Sequence, residues 1–137
     1  MTGAGTALIV LDASAVLEVL FRSQVGLEIE KRIFSHRESL FAPHLLDLEV
    51  AQVVRRYCAF GEIDSERGKE AIEDLKDLPI SRYQHDIFLS RVWALRHNMT
   101  AYDAVYIALA ETLRAPLLTR DAHLASAPGH EALIELV

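Results

Sequence analysis

Apolar positions along this chain follow two rhythms. Ala7-Leu-Ile-Val-Leu11 is an unbroken run of mostly branched residues, which reads as a strand buried on both faces and so central in a parallel sheet. Asp12 ends the run, Ser14 stands where a helix could be capped, and Val16, Leu17, Val19 and Leu20 follow at helical spacing. A second helix is predicted from Val25 to about His36, with Leu27, Ile29, Ile33 and Phe34 apolar and Glu28, Glu30, Lys31 and Arg32 outward. Leu40-Phe-Ala42 reads as a short strand stopped by Pro43. The helical period returns from Leu45 to Phe60, and Gly61 ends it as a C-terminal cap.

A further amphipathic helix starts at Asp64 or Ser65 and runs to about Asp77, and Leu78-Pro-Ile80 leads into a third strand. Asp86 to His97 is predicted as a helix with Ile87, Val92, Trp93 and Leu95 inward. Thr100 to Arg114 is nearly all apolar, so that helix should be buried on most sides. Leu117-Leu-Thr119 is a strand, Ala122 to Ala127 a short helix, and Leu133 to Val137 a last strand. Short strands separated by helices predict βαβ units, hence an α/β fold with a parallel sheet and helices on both faces. Ligands on such sheets bind at the carboxyl ends of the strands, and Asp12 and Asp121 lie just past two strand ends.

The 137 residues suit a single domain spanning 1–137, without repeats or linkers. A composition 51% hydrophobic and 25% charged is that of an ordinary globular chain and excludes disorder. The lone cysteine, Cys58, excludes an intramolecular disulfide and a Cys-based zinc site; it is expected as a small buried residue. The N-terminus makes a poor signal peptide and no apolar run could span a bilayer, so the chain reads as cytoplasmic, with no membrane partner. The six histidines show no H-x-H or H-E-x-x-H spacing, and the early glycines Gly3 and Gly5 precede the first strand, so no phosphate loop follows it. Ser14 lacks the setting of a nucleophile elbow.

A net charge of −6 argues against a DNA-coating protein, unless the acids are concentrated in one place. Asp12 and Asp121 each suit the first turn of a helix. Asp103 could belong to a capping box, Thr100-Ala-Tyr-Asp103, yet it sits in a helix otherwise almost without charge, where a buried carboxylate needs a partner or a metal. On the helix from Leu45, the stripe Leu46, Val50, Val53 and Tyr57 is flanked by Asp47 and Glu49 about equally, and spacing does not choose between them. Carboxylates gathered at one sheet edge repel unless a cation neutralises them, and a site of carboxylates alone suits Mg²⁺ or Mn²⁺ better than zinc.

Four segments together resemble the PIN-domain ribonucleases, and more narrowly the VapC-like toxins of toxin–antitoxin pairs. They are Leu-Ile-Val-Leu-Asp12-Ala-Ser14-Ala-Val-Leu-Glu18, Pro43-His-Leu-Leu-Asp-Leu-Glu49-Val-Ala, Thr100-Ala-Tyr-Asp103-Ala-Val-Tyr-Ile-Ala-Leu-Ala110 and Leu118-Thr-Arg-Asp121-Ala-His-Leu. The resemblance implies a three-layer α/β/α sandwich around a parallel sheet, and a Mg²⁺- or Mn²⁺-dependent endoribonuclease that hydrolyses phosphodiesters with a metal-activated water. Asp12, Glu49, Asp103 and Asp121 match the family's acidic positions, so the resemblance selects Glu49 over Asp47. It casts Asp12 and Asp103 as direct metal ligands, Glu49 and Asp121 as completing the site, and Ser14 as the hydroxyl supporting the first acid. Thr119 could likewise hold a carboxylate or a water.

Four acids at one site would account for most of the net charge, and Arg55, Arg56, Arg82, Arg91, Arg96, Arg114 and Arg120 would remain to meet phosphates. Arg120, beside Asp121, is the foremost candidate for substrate contact. The resemblance further implies a small antitoxin received along Val25 to Phe60, and a homodimer. Two other readings stand beside it. A metal-dependent phosphohydrolase using Asp12 as phosphate acceptor would need a late lysine, and the last is Lys76. A non-catalytic interaction domain would use the acids only as caps, and would not bind Mg²⁺.

Overall fold

The structure, a computed structural model, describes residues 7–137; Gly3 and Gly5 lie outside them. Five strands form one all-parallel sheet in the order β3-β2-β1-β4-β5, with β1 (Leu8–Leu11) in the middle. Two helices, α1 (Ala13–Leu20) and α2 (Gln24–His36), carry the chain to β2 (Ser39–Pro43), and α3 (Leu45–Ala59) and α4 (Ser65–Asp77) carry it to β3 (Ile80–Tyr83). The chain then crosses back through α5 (Leu89–Ala94) and α6 (Ala101–Leu113) to β4 (Leu117–Thr119), and ends with α7 (Ala122–Ser126) and β5 (Ile134–Leu136).

Side chains alternate across the pleat, so the sheet feeds two cores. Ile9, Leu11, Leu40, Ala42 and Leu118 pack with α1 to α4 on one face. Val10 and Leu117 pack with α6 and its neighbours on the other. The result is a three-layer α/β/α sandwich, and β1 is buried on both faces as its unbroken apolar run requires. Residues Ala104 to Ala110 of α6 are all buried, in keeping with that helix's apolar composition. Gly26 permits the close approach of α2 to α1, because a Cβ there would fall 1.9 Å from the Glu18 carbonyl oxygen. Gly61, at φ 72°, terminates α3 in the left-handed conformation.

Several local expectations are corrected. Asp86 to His97 is not one helix: a 3₁₀ turn at Asp86–Phe88 precedes a six-residue α5. The break shifts the inward face, so Phe88 and Leu95 fill the core while Ile87 and Trp93 face solvent, 66% and 68% exposed. The Arg96 guanidinium covers the Trp93 ring at 4.5 Å. On α3 the buried stripe is Leu46, Val50 and Val54, leaving Val53 and Tyr57 half-buried. Cys58 is also only half-buried, with its sulfur hydrogen-bonded to the Asp64 carbonyl at 3.7 Å. Pro43 closes β2 from within, paired with Tyr83.

Candidate active site

Chain order reverses direction on either side of β1, which leaves a crevice between the carboxyl ends of β1 and β4. Asp12 is the first residue past β1, and its backbone N–H donates to the Leu118 carbonyl of β4 at 3.3 Å. Asp121 lies two residues past β4. Helix α3 leaves the end of β2 and carries Glu49 one turn in, and α6 brings Asp103 in its first turn.

Asp12 is the anchor. It is 8% exposed, and with Thr119 it makes up the buried polar residues among those described. Oδ1 accepts from the Ser14 hydroxyl at 2.6 Å and from the Ala15 N–H at 3.0 Å, and Oδ2 accepts from the Thr119 hydroxyl at 2.5 Å. The same hydroxyls accept from the turn after β4: Ser14 from the Arg120 N–H at 2.9 Å, and Thr119 from the Asp121 N–H at 3.0 Å. Ser14 and Thr119 therefore lock the Asp12 carboxylate and the Asp121 turn to each other. Burial pushes the Asp12 carboxyl above its ordinary value, against the pull of these hydrogen bonds. Replacing Thr119 with Val keeps the shape but strips the carboxylate of a buried donor. Thr119→Val should cost about 2 kcal/mol in urea unfolding, the usual worth of a hydrogen bond to a charged group. An unchanged midpoint would show that the lock carries no energy.

Glu49 accepts from the Tyr106 hydroxyl at 2.7 Å, and its carboxyl is raised by burial and by the charges of Asp103 and Asp12. Burial and the Glu49 carboxylate push the Tyr106 phenol upward in turn, so it stays a protonated donor. Asp47, the neighbour that spacing could not exclude, faces elsewhere: Arg82 holds it through three contacts of 2.8–3.1 Å. Asp103 is raised by burial and then by the charges of Asp121 and Asp12. The capping box around it is half-formed, since the Thr100 hydroxyl accepts the Asp103 N–H at 3.1 Å. Asp12 and Asp121 are true N-caps as well, accepting from Ala15 and His123. Capping and membership of an acidic cluster are compatible here, because the helix starts are what gather the acids.

Only acids appear among the charges that perturb Glu49 and Asp103. Among the described residues no three acidic, imidazole or thiol groups close into a ready-made metal cage. The donor set is all oxygen and uncompensated. That fits a hard dication that keeps most of its waters and takes one or two carboxylates directly.

Three of the candidate arginines are engaged with acids of the fold. Arg120 turns away from the acids, paired with Glu18 at 3.3 Å and donating to the Val137 carbonyl at 2.8 Å. Arg82 and Arg91 are likewise engaged, with Asp47 and Glu111. Sequence reasoning also passed over Tyr106. The available signal was a phenol three residues after Asp103, in a helix buried enough that its hydroxyl would need a partner.

Residues 9–129 match the sequence profile of the PIN domain. The chain is 42% identical to Ribonuclease VapC1 of Mycobacterium tuberculosis over 130 residues, spanning 93% of this chain and 96% of that protein. It is 36% identical to Ribonuclease VapC12 of the same organism, spanning 95% and 99%. Among solved structures it is similar to PAE2754 from Pyrobaculum aerophilum, with TM-score 0.69 and 18% identity over 96% of this chain and 87% of that one. It is also similar to VapBC2 from Rickettsia felis bound to a DNA fragment from their promoter, with TM-score 0.70 and 9% identity over 95% and 98%.

Proposed function

The chain belongs to the PIN-domain family, and from that membership we propose that it is an endoribonuclease, the toxin of a toxin–antitoxin pair, working through Mg²⁺ or Mn²⁺ at Asp12, Asp103, Glu49 and Asp121. The observation that carries the reading is the gathering of four carboxylates at the β1/β4 crevice, where Glu49 and Asp103 are raised by burial and then by neighbouring acids, with no cation among the charges acting on them. The similarity to two ribonucleases over nearly their whole length supports RNA as the substrate.

Asp12 and Asp103 would hold the ion directly, and Glu49 and Asp121 would complete its surroundings. When bound, the ion lowers the pKa of a water and neutralises charge on the phosphodiester. Ser14, Thr119 and the Ala15 N–H fix the Asp12 carboxylate before substrate arrives, so no reorganisation is needed during reaction. Tyr106 holds Glu49 Oε1 and leaves Oε2 for a water or the ion. The test is cleavage of single-stranded RNA by the purified protein. It should stop in EDTA and return with Mg²⁺ or Mn²⁺; RNA cleavage that persists in EDTA, or none under any condition, rejects the reading.

The partner surface runs along α2 and the end of α3. Leu27 and Phe34 sit two turns apart on α2, 41% and 80% exposed, and Phe60 at the end of α3 is 76% exposed. A small antitoxin laying an amphipathic helix along α2 and α3 would cover them. A second copy of the chain would cover α5, where Leu89 and Trp93 are both exposed. Expression alone should slow bacterial growth, and co-expression of the adjacent reading frame should restore it. Light scattering should return about twice the 15.3 kDa of one chain. Normal growth at high expression would count against the toxin role, and a mass of one chain against the dimer. Among the described residues no helix is long and apolar enough to cross a membrane.

A further inference from the structure

Tyr102 immediately precedes Asp103 on α6, and it is 63% exposed. Two hollows share its side chain. One, of about 460 Å³, lies between α1 and α3; it is lined by Leu17 and Leu48, and it shares Ser14 and Glu49 with the acidic site. Arg56 is the only basic residue in that lining, and it is exposed. The other hollow, of about 150 Å³, lies toward α5 and includes Leu89 and Val105. Tyr102 thus forms a ridge between two apolar hollows at the edge of the carboxylate cluster.

We propose that Tyr102 is the stacking platform for an unpaired base of the RNA next to the scissile phosphate, with the Leu17–Leu48 hollow seating that base and Arg56 receiving a neighbouring phosphate. The assignment rests on the RNA-cleaving reading of the acidic site. A strand whose phosphate lies at Asp12 and Asp103 must lay its next nucleotide on the surface beside them, and Tyr102 is the residue there with a free aromatic face. Stacking on exposed aromatic rings is the general way proteins hold single-stranded bases, because every base has a π-face. The hollow is apolar where a base would lie, and its one cation suits a phosphate. Continuity with Ser14 and Glu49 makes RNA the favoured occupant over a protein segment.

The experiment compares wild type, Tyr102→Ala, Tyr102→Phe and Arg56→Ala on a single-stranded oligoribonucleotide containing a mapped wild-type cleavage position. Tyr102→Ala should raise KM roughly tenfold, the worth of one stacked base, while Tyr102→Phe stays near wild type. On an oligonucleotide made abasic at the flanking nucleotides, wild type and Tyr102→Ala should become equal. Arg56→Ala should raise KM and weaken its salt dependence. A 2-aminopurine at the flanking position should be quenched on binding to Asp103→Asn and not to Asp103→Asn carrying Tyr102→Ala. If wild type cuts RNA and Tyr102→Ala cuts it with the same KM, the platform is disproved while the nuclease reading stands. The platform is equally disproved if Tyr102→Ala loses only antitoxin binding, since the hollow then belongs to the protein partner. If wild type cuts no RNA with either metal, the nuclease reading fails and the platform with it.

Discussion

Asp103→Asn should reduce RNA cleavage by at least about 100-fold and leave the fold intact. The size follows from losing a directly charged group that stabilises a charged transition state, worth several kcal/mol in metal-assisted hydrolysis. The fold should survive because the local duties of Asp103 do not need its charge. The cap with Thr100 is made through its N–H, and the pull of Thr100 on its carboxylate is the weakest of the influences there. The carboxylate itself is half-buried and faces the charges of Asp121 and Asp12, so a neutral amide removes repulsion. Asp12→Asn is a poorer test. The Asp12 carboxylate accepts from Ser14, Thr119 and Ala15, and an amide nitrogen placed against any of these donors leaves one unpaired in a buried site. Both variants reduce charge, and repulsion alone would stabilise both in the absence of metal; the hydrogen-bond pattern reverses that expectation for Asp12. Initial rates on single-stranded RNA, with circular dichroism as the folding control, decide the matter. A folded Asp103→Asn that cleaves at the wild-type rate removes Asp103 from the site.

The architecture was legible because its strongest signals are local. The unbroken apolar run of β1 and the near-absence of charge in α6 each place an element in the middle of the fold, and both are buried there. What a helical period could not show was where a helix breaks. Ile87 and Trp93 fit an inward face only if Asp86 to His97 winds continuously, and the 3₁₀ turn rotates them outward. The acids divide in the same way. Asp12 and Asp121 are legible because strand ends locate them. Glu49 is not, since Asp47 lies about as far from the apolar stripe. The choice between them is made by Arg82 on β3, 35 residues after Asp47 in sequence, which no pattern within α3 contains. Arg120 shows the same limit: its nearest charge in sequence is Asp121, but its partner in space is Glu18 on α1.

In EDTA the protein should lose thermal stability as pH rises above about 4.5, and Mg²⁺ should restore it. Asp12, Glu49 and Asp103 all have carboxyls raised above their ordinary values of 3.8, 4.5 and 3.8. A raised folded-state pKa means that the unfolded chain releases its proton first. Stability is therefore unaffected below the unfolded value, falls as pH rises through the folded one, and carries the full cost above it. Glu111 works oppositely, held low by Arg91, but its contribution is lost only as pH falls below about 4.5, outside the chosen window. Asp103→Asn removes one raised group and relieves Glu49, which feels the Asp103 charge. Its melting curve should depend less on pH than that of wild type, and at about pH 7.5 in EDTA it should melt about 2–5 °C higher. Magnesium at about a hundred times its Kd should add about 2.7 kcal/mol to wild type and much less to the variant, because the variant lacks a ligand. The measurement is thermal melting of both proteins across the window, with EDTA and with Mg²⁺. Parallel pH curves for the two proteins, with no magnesium shift in either, would mean that burial alone raises these acids and that the crevice holds no cation.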